Sequence, residues 1–299
     1  MAWRVVSIEN PAQLSLRDNR IVIKQDEEVS LPLEDIDTLL LDNYAISISA
    51  NLLSELSRNK VTTILCDDKH LPASILVPFS QHSRQAKVSR AQLSITEPLR
   101  KNLWRNIVIQ KINNQAKVLE KFDYIHESEN LKSLAKTVRT DDSDNRESVA
   151  ARSYFAILLD DATRRKPMWH NSALNYGYAI VRSSLAKSLA ARGLVLSQGI
   201  FHHNELNSFN LVDDIIEPFR PAVDEYILKT VALRRIGDND ASLNRNDRAM
   251  ILDILNQNVI INDRQFSTKI ATDKVAENFA KTVQTGNLSD LILPSIREK

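Results

Sequence analysis

Residues 199–221 read GIFHHNELNSFNLVDDIIEPFRP, and this stretch decides how the second half of the chain is built. Leu211, Val212, Ile215, Ile216 and Phe219 recur at steps of three and four, the period of a helix with one buried face, and Pro218 and Pro221 are expected to act as its stops. The same run carries Asp213, Asp214 and Glu217. Asp214 and Glu217 are three apart, so on a helix they share a face with Cβ atoms roughly 5–6 Å from one another. His202 precedes them by a short polar loop, and two carboxylates with an imidazole are able to converge on one cation. Residue types and spacing alone leave a second account open: acidic groups complement the dipole of a helix start, and neighbouring histidines in a loop are often only solvated.

Outward from this stretch, the bulk composition narrows the classes. The chain has 299 residues, 43% of them hydrophobic, enough to fill one large core or two ordinary ones. It has no apolar run of membrane-spanning length, and its start, MAWRVVSIEN, has neither a basic nor an apolar leader region, so a cytoplasmic location without membrane attachment is the default expectation. Cys66 is the only cysteine, which excludes an internal disulfide and a thiolate-based zinc centre. Any metal must therefore sit on oxygen and nitrogen. The five glycines fall at 177, 193, 199, 237 and 286, with no phosphate-cradling spacing among them, so nucleotide-driven chemistry is not expected. A formal charge of +1 hides any basic stripe in its sum.

Taken in order, residues 1–79 predict a small β-rich domain. Short runs at 3–8, 13–16, 20–24, 29–33, 37–41 and 61–66 read as strands, several of them alternating apolar with polar, and Arg17-Asp18-Asn19 and Asp26-Glu27-Glu28 supply turns. Ser49 is placed to cap a short helix ending near Asn59, with Leu52, Leu53 and Leu56 inward. Residues 80–97 predict a polar, basic linker carrying His82, Arg84, Lys87 and Arg90. From residue 98 a larger helical domain follows, so the fold class is α+β: a small β-rich N-terminal domain and a larger all-helical C-terminal one. Its first helix runs through Trp104, Ile107, Val108, Ile112, Ala116 and Leu119, and others are expected at 131–138, 145–159, 172–192, 213–233, 245–255 and 269–283, with a possible strand at 259–266.

A further carboxylate stands at the opening of the helix in NRESVAARSYF, residues 145–155. The paired alanines after Glu147 permit another helix to approach closely, which would set this acid in a cleft, although a plain helix-dipole role remains open.

Three stretches in this order, NRESVAARSYF, NSALNYGYAIVRS and GIFHHNELNSFNLVDDIIEPFRP, resemble the CRISPR-associated integrase/endonuclease family, whose members insert new spacers into CRISPR arrays, and look most like those of type II systems. The resemblance covers essentially the whole chain. It implies a metal-binding catalytic triad at Glu147, His202 and Glu217, with Mg²⁺ or Mn²⁺ as the ion. His203 is adjacent and able to compete, while Asp214 matches a family acidic position that binds or orients the metal from behind the ligands. Arg220 matches a basic position expected to meet DNA phosphate. The resemblance also implies a homodimer, with a small second CRISPR-associated protein bridging two dimers, and double-stranded DNA, the prespacer and the CRISPR repeat, as substrate.

A divalent ion held by two carboxylates and one imidazole suits phosphodiester chemistry: attack by a DNA 3′-hydroxyl gives integration, and attack by water gives a nick. Arg84, Lys87, Arg164, Arg165, with Lys166, and Arg182 and Arg220 are the basic residues expected to track DNA, each with a solvated surface role as the plainer account. Two other classes remain compatible with the residues, namely a metal-dependent nuclease without integration activity and a non-catalytic DNA-binding scaffold.

Overall fold

Asp18 and Asn19 adopt positive φ angles of 50° and 57°, the conformation a tight hairpin needs, and turn β2 (Ala12–Arg17) back onto β3 (Arg20–Lys24). The computed structural model describes residues 4–68, 70–76, 84–159, 168–232 and 242–298. These fall into two units, Met1–Gln81 and His82–Lys299.

In the first unit β4 (Glu28–Pro32) continues the antiparallel meander, and β6 (Ile46–Ile48) joins β2 in parallel, giving the order β4-β3-β2-β6. A second sheet has the order β1-β5-β7-β8, formed by β1 (Arg4–Ile8), β5 (Ile36–Leu41), β7 (Thr62–Cys66) and β8 (Pro72–Leu76). Its first three strands are parallel and β8 is antiparallel to β7. The parallel β5–β7 pair requires a crossover, which contains α1 (Ala50–Arg58). As expected, Ser49 Oγ caps α1 by accepting the Leu52 N–H at 3.3 Å. Leu14, Ile21, Leu39, Leu52 and Leu56 form a common core, each burial stabilising by about 1.5–3 kcal/mol. Strands β6 and β8 escape the sequence reading because three residues, or a run opened by Pro72, carry too short an alternation.

The second unit is mostly helical. Where a basic linker was expected there is a helix, α2 (Gln85–Leu93), because its Val88 and Gln92 have a surface to bury against. Gln92 is held at both ends of its amide: Nε2 donates to the carbonyls of Val195 and Gln198 at 3.0 and 2.9 Å, and Oε1 accepts from Val195 N–H at 2.8 Å. The 25-residue α3 (Glu97–Lys121) buries Leu103, Trp104, Ile107, Val108, Ile112, Ala116 and Leu119, the periodic set read from the sequence. It is followed by α4 (Ile125–Lys136) and α5 (Arg146–Leu158). The 23-residue α6 (Trp169–Ala191) is buried on most of its faces, and α10 (Thr268–Thr285) lies along it, with Ser184 and Thr272 hydroxyls 3.0 Å apart. Gly177 of α6 faces Val223 and Ile227 so closely that a Cβ would stand 2.6 Å from Val223 Cγ1.

The stretch from 210 onward is not one helix. It comprises α7 (Asn210–Ile215), a 3-10 turn (Glu217–Phe219), α8 (Arg220–Tyr226) and a widened π turn (Ile227–Val231). Pro218 and Pro221 do not stop it: each occupies the first turn of a new segment, where the missing N–H is not needed. After α9 (Arg245–Leu252) the segment expected as one strand is a hairpin, β9 (Asn258–Ile261) and β10 (Arg264–Ser267), turned by Asn262 and Asp263 at φ 48° and 59°. Among the described residues, the C-terminal domain is therefore helical with one small two-stranded sheet.

Candidate active site

Glu147 sits in the first turn of α5, and the loop before it sets its place. Asp142, buried, accepts the N–H groups of Arg146 and Glu147 at 2.8 and 3.0 Å, closing off donors that the helix itself leaves unpaired. Burial pushes the Asp142 carboxyl up, and the two backbone N–H groups oppose that push. Asp141, Asp142 and Asn145 all take left-handed backbone angles, which short polar side chains tolerate, so the sequence TDDSDN can make this tight approach.

Glu217 is carried by the 3-10 turn, and α3 holds that turn. Asn114 Nδ2 donates to the Pro218 carbonyl at 2.7 Å and to the Pro294 carbonyl at 2.9 Å, while its Oδ1 accepts from Ile296 N–H at 3.2 Å. One turn earlier on α3, the buried ammonium of Lys111 contacts both Glu147 Oε1 and Glu217 Oε2. The contact with Glu147 has hydrogen-bond alignment, whereas that with Glu217 Oε2 is an ion pair without it. Arg220 Nε donates to the other oxygen, Glu217 Oε1, at 2.8 Å. Burial alone would raise the Glu217 pKa, but the positive charges of Arg220 and Lys111 outweigh it and hold the carboxyl down to about 2. Lys111 and Arg220 are likewise pulled down by burial and raised on balance by their carboxylate neighbours.

Behind Arg220 the network continues. Its guanidinium lies 4.7 Å above the Tyr178 ring, Tyr178 donates its hydroxyl to Asp224 Oδ1, and Tyr154 donates to Asp224 Oδ2 at 3.0 Å. Helices α5, α6 and α8 are thereby tied together beneath the two glutamates. Burial, together with the Asp224 charge, pushes the Tyr154 hydroxyl well above its ordinary value, so it keeps the proton that it donates to Asp224.

His202 stands on the loop that leads into α7, and Asp214 organises that loop. Asp214 is fully buried; Oδ2 accepts from the N–H groups of Ile200 and Phe201 at 2.5 and 3.1 Å, and Oδ1 accepts from His202 N–H at 3.2 Å and meets His202 Nδ1 at 2.7 Å. Gly199 permits the closeness: a Cβ there would lie 2.2 Å from the His202 carbonyl oxygen and 2.9 Å from Asp214 Oδ2. Arg100 Nη1 donates to the Ile200 carbonyl at 3.0 Å, and the Phe201 ring stacks on Trp104 with centroids 4.4 Å apart. With Nδ1 engaged by a carboxylate, Nε2 is the nitrogen left to act. The bond to Asp214 raises the His202 pKa, burial opposes it, and the charges of Asp214, Glu217 and Asp213 add to the rise.

Glu147 and Glu217 are thus brought to one cation, and His202 lies near enough to Glu217 to feel its charge. Among the described residues no three His, Cys, Asp or Glu groups stand at metal-holding distances. Asp214 and Glu217 share the run but diverge, Asp214 towards the 200–202 loop and Glu217 towards Lys111 and Arg220. The chemistry of the donors nonetheless fits a small divalent ion: two carboxylates already share one cation, and the His202 imidazole is oriented by a carboxylate. His203 is exposed, and Arg100 Nη1 lies 3.5 Å from its Nε2.

Of the basic residues, Lys87 is exposed on α2 and Arg84 exposed just before it. Arg182 is engaged by Asp213 at 2.6 and 3.0 Å and lies over the Phe209 ring, so it serves the α6–α7 contact. Arg164, Arg165 and Lys166, and His82 in the expected linker, lie outside the described residues. Sequence reasoning missed Lys111, Asn114, Asp142, Tyr154, Tyr178 and Asp224. For two of them a signal existed: Lys111 and Asn114 fall among the apolar positions of α3, and polar residues on a core face ask for partners.

A family model described as CRISPR associated protein Cas1 matches residues 5–264. Over 298 residues, 99% of this chain and 97% of its relative, the chain is 39% identical to the CRISPR-associated endonuclease Cas1 of Neisseria meningitidis serogroup C. Its fold is similar to that of a casposase bound to integration product, with a TM-score of 0.79 and 15% identity over 96% of this chain and 92% of the other. It is also similar to a chain of a Cas6-RT-Cas1–Cas2 complex, with a TM-score of 0.75 and 18% identity over 99% of this chain and 36% of that one. At these identities the two solved structures speak to the fold alone.

Proposed function

The chain belongs to the CRISPR associated protein Cas1 family, and from that premise we propose that it is a divalent-metal-dependent DNA endonuclease and integrase that inserts short DNA segments into a CRISPR array. The observation that carries this reading is the grip of Glu147 and Glu217, from separate helical segments, on a single buried cation, and the charge of Glu217 also raises the His202 pKa. The meningococcal relative is an endonuclease by name, which supports the nuclease class.

Glu147, Glu217 and His202 Nε2 are the groups that would hold Mg²⁺ or Mn²⁺, with nitrogen among the ligands tilting the preference towards manganese. An ion held there would supply Lewis-acid stabilisation of the charge that builds on the oxygens of the scissile phosphate. The other contributions come from the chain. Asp214 fixes the His202 ring through Nδ1, and Arg220 keeps Glu217 ionised while leaning over Tyr178. A DNA 3′-hydroxyl that attacks phosphorus forms a new ester bond as the target strand's 3′-oxygen leaves with a proton; water in its place gives hydrolysis.

Exposed Arg84 and Lys87 are proposed as phosphate contacts. The proposed assembly is a homodimer, with Cas2 bridging two dimers, a role suggested by the Cas1–Cas2 complex whose chain shares this fold. No helix among the described residues is long and apolar enough to cross a membrane, and a cytoplasmic site of action is part of the proposal. A labelled duplex with 3′-hydroxyl ends, incubated with Cas2, Mg²⁺ or Mn²⁺ and a supercoiled plasmid bearing a CRISPR repeat, tests the reading. Label joined to plasmid by the parent protein and not by Glu147→Gln is expected; joining that survives this change, or nicking without joining, would overturn the integrase assignment.

A further inference from the structure

The residue between the two glutamates has no place in the reaction just described. Lys111 comes from α3, its side chain is 8% exposed, and its ammonium touches one oxygen of Glu147 and one of Glu217. Two carboxylates this close repel each other, and a buried pair of like charges needs a cation between them. The ammonium is that cation, delivered by a helix whose next turn is bonded through Asn114 to the carbonyl of Pro218, directly after Glu217. Lysine and ligand are consequently in fixed register. A flexible four-carbon stem allows the ammonium to move off, and Glu147, with a side chain 28% exposed, leaves the cleft open to solvent on its side.

We propose that the Lys111 ammonium is a resident counter-ion of the Glu147–Glu217 pair, one that a divalent ion must displace in order to bind. This inference rests on the metal-site reading above and adds to it a reason why the free protein holds its two acids together, together with a built-in limit on metal affinity. Without metal, Lys111 between the two acids and Arg220 on the other oxygen of Glu217 together offset the pair's charge; metal binding exchanges the lysine for another cation and is weaker than the ligand set would otherwise allow. A lysine of purely structural value makes the opposite prediction, since its loss would loosen the site and weaken any ion held there.

The discriminating experiment measures Mn²⁺ binding to the full chain by electron paramagnetic resonance of the free ion, without DNA, beside thermal melting in a chelator. Lys111→Met keeps the length of the side chain and removes its charge. It is expected to melt below the parent in chelator, to gain more from Mn²⁺ than the parent gains, and to bind Mn²⁺ about tenfold tighter or more. Equal or weaker binding by Lys111→Met overturns the proposal. If both proteins bind equally, the metal site stands and only the counter-ion role falls; if neither binds, the two readings fall together. Should Lys111→Met fail to fold, the parent with ¹³C at lysine Cε decides the matter: a Lys111 signal moved by Mg²⁺ supports displacement, and one unmoved at saturating Mg²⁺ refutes it.

Discussion

Asp214 converts a short loop into a fixed holder for one imidazole. Its two oxygens take up the N–H groups of residues 200–202 and meet His202 Nδ1. Asp214→Ala would leave those buried donors unsatisfied, at about 1–3 kcal/mol for each group that cannot reach water. The expected outcome is a loss of about 3 kcal/mol in urea unfolding, accompanied by loss of strand transfer through His202 even where the chain stays folded. Glu147, His202 and Glu217 stand out in the sequence as candidates only, and their grouping as one triad comes from the resemblance, because acids at a helix start and histidines in a loop have plainer accounts. The choice of His202 over His203 came from the resemblance alone, and the Asp214 bond gives it a physical reason. Lys111 was not read, since one lysine within the pattern of α3 looks like a gap in the apolar face until its partners, dozens of residues away, are known.

At the scale of elements, the run from 210 to 231 bends where Pro218 and Pro221 start new turns, and Asn114 secures the bend. Asn114→Ala strips the Asn114 bond from the Pro218 carbonyl and from Ile296 N–H, while Gln110 still donates to the Pro294 carbonyl, so a cost of about 2 kcal/mol is expected in equilibrium unfolding. A second joint is Arg182–Asp213 between α6 and α7. Burial would raise the Asp213 pKa, but Arg182 and Asn207 more than offset this, and the carboxyl lies below its ordinary value. A folded pKa below the unfolded one means that stability is present above the unfolded value, about 4, and is lost as pH falls through the folded value. Arg182→Gln should therefore be less stable than the parent at pH 7, with the gap closing below about pH 4, as read from urea midpoints across that range. Periodicity supplied α3, α5, α6, α9 and α10 to within three residues at each end, yet it began α4 six residues late, took α2 for a linker, joined 213–233 into one helix and reduced the 258–267 hairpin to a strand, because a period says little about bends.

For the molecule as a whole, the switch from a strand period to a helix period near residue 80 was visible in the sequence, and the structure changes from sheets to helices in the same region. The expected linker was misread because α2 is amphipathic only in the presence of its neighbours: Gln92 is buried by the loop that follows α6, a contact over a hundred residues distant in sequence. The exposed basic groups beside α2 matter for the global charge, which is +1 in total and so gives no long-range attraction to DNA by itself. Binding to duplex DNA should then depend on local phosphate contacts. Affinity is expected to fall linearly with salt on a double-logarithmic plot, and Lys87→Glu to make that slope shallower by about 1 without altering sequence preference.

Whether Glu147, His202 and Glu217 close on one divalent ion is decided by anomalous diffraction from crystals of the protein grown with Mn²⁺. A single manganese peak bonded to all three side chains is expected. A peak held by other residues, or Lys111 still lodged between the glutamates at saturating Mn²⁺, would contradict it.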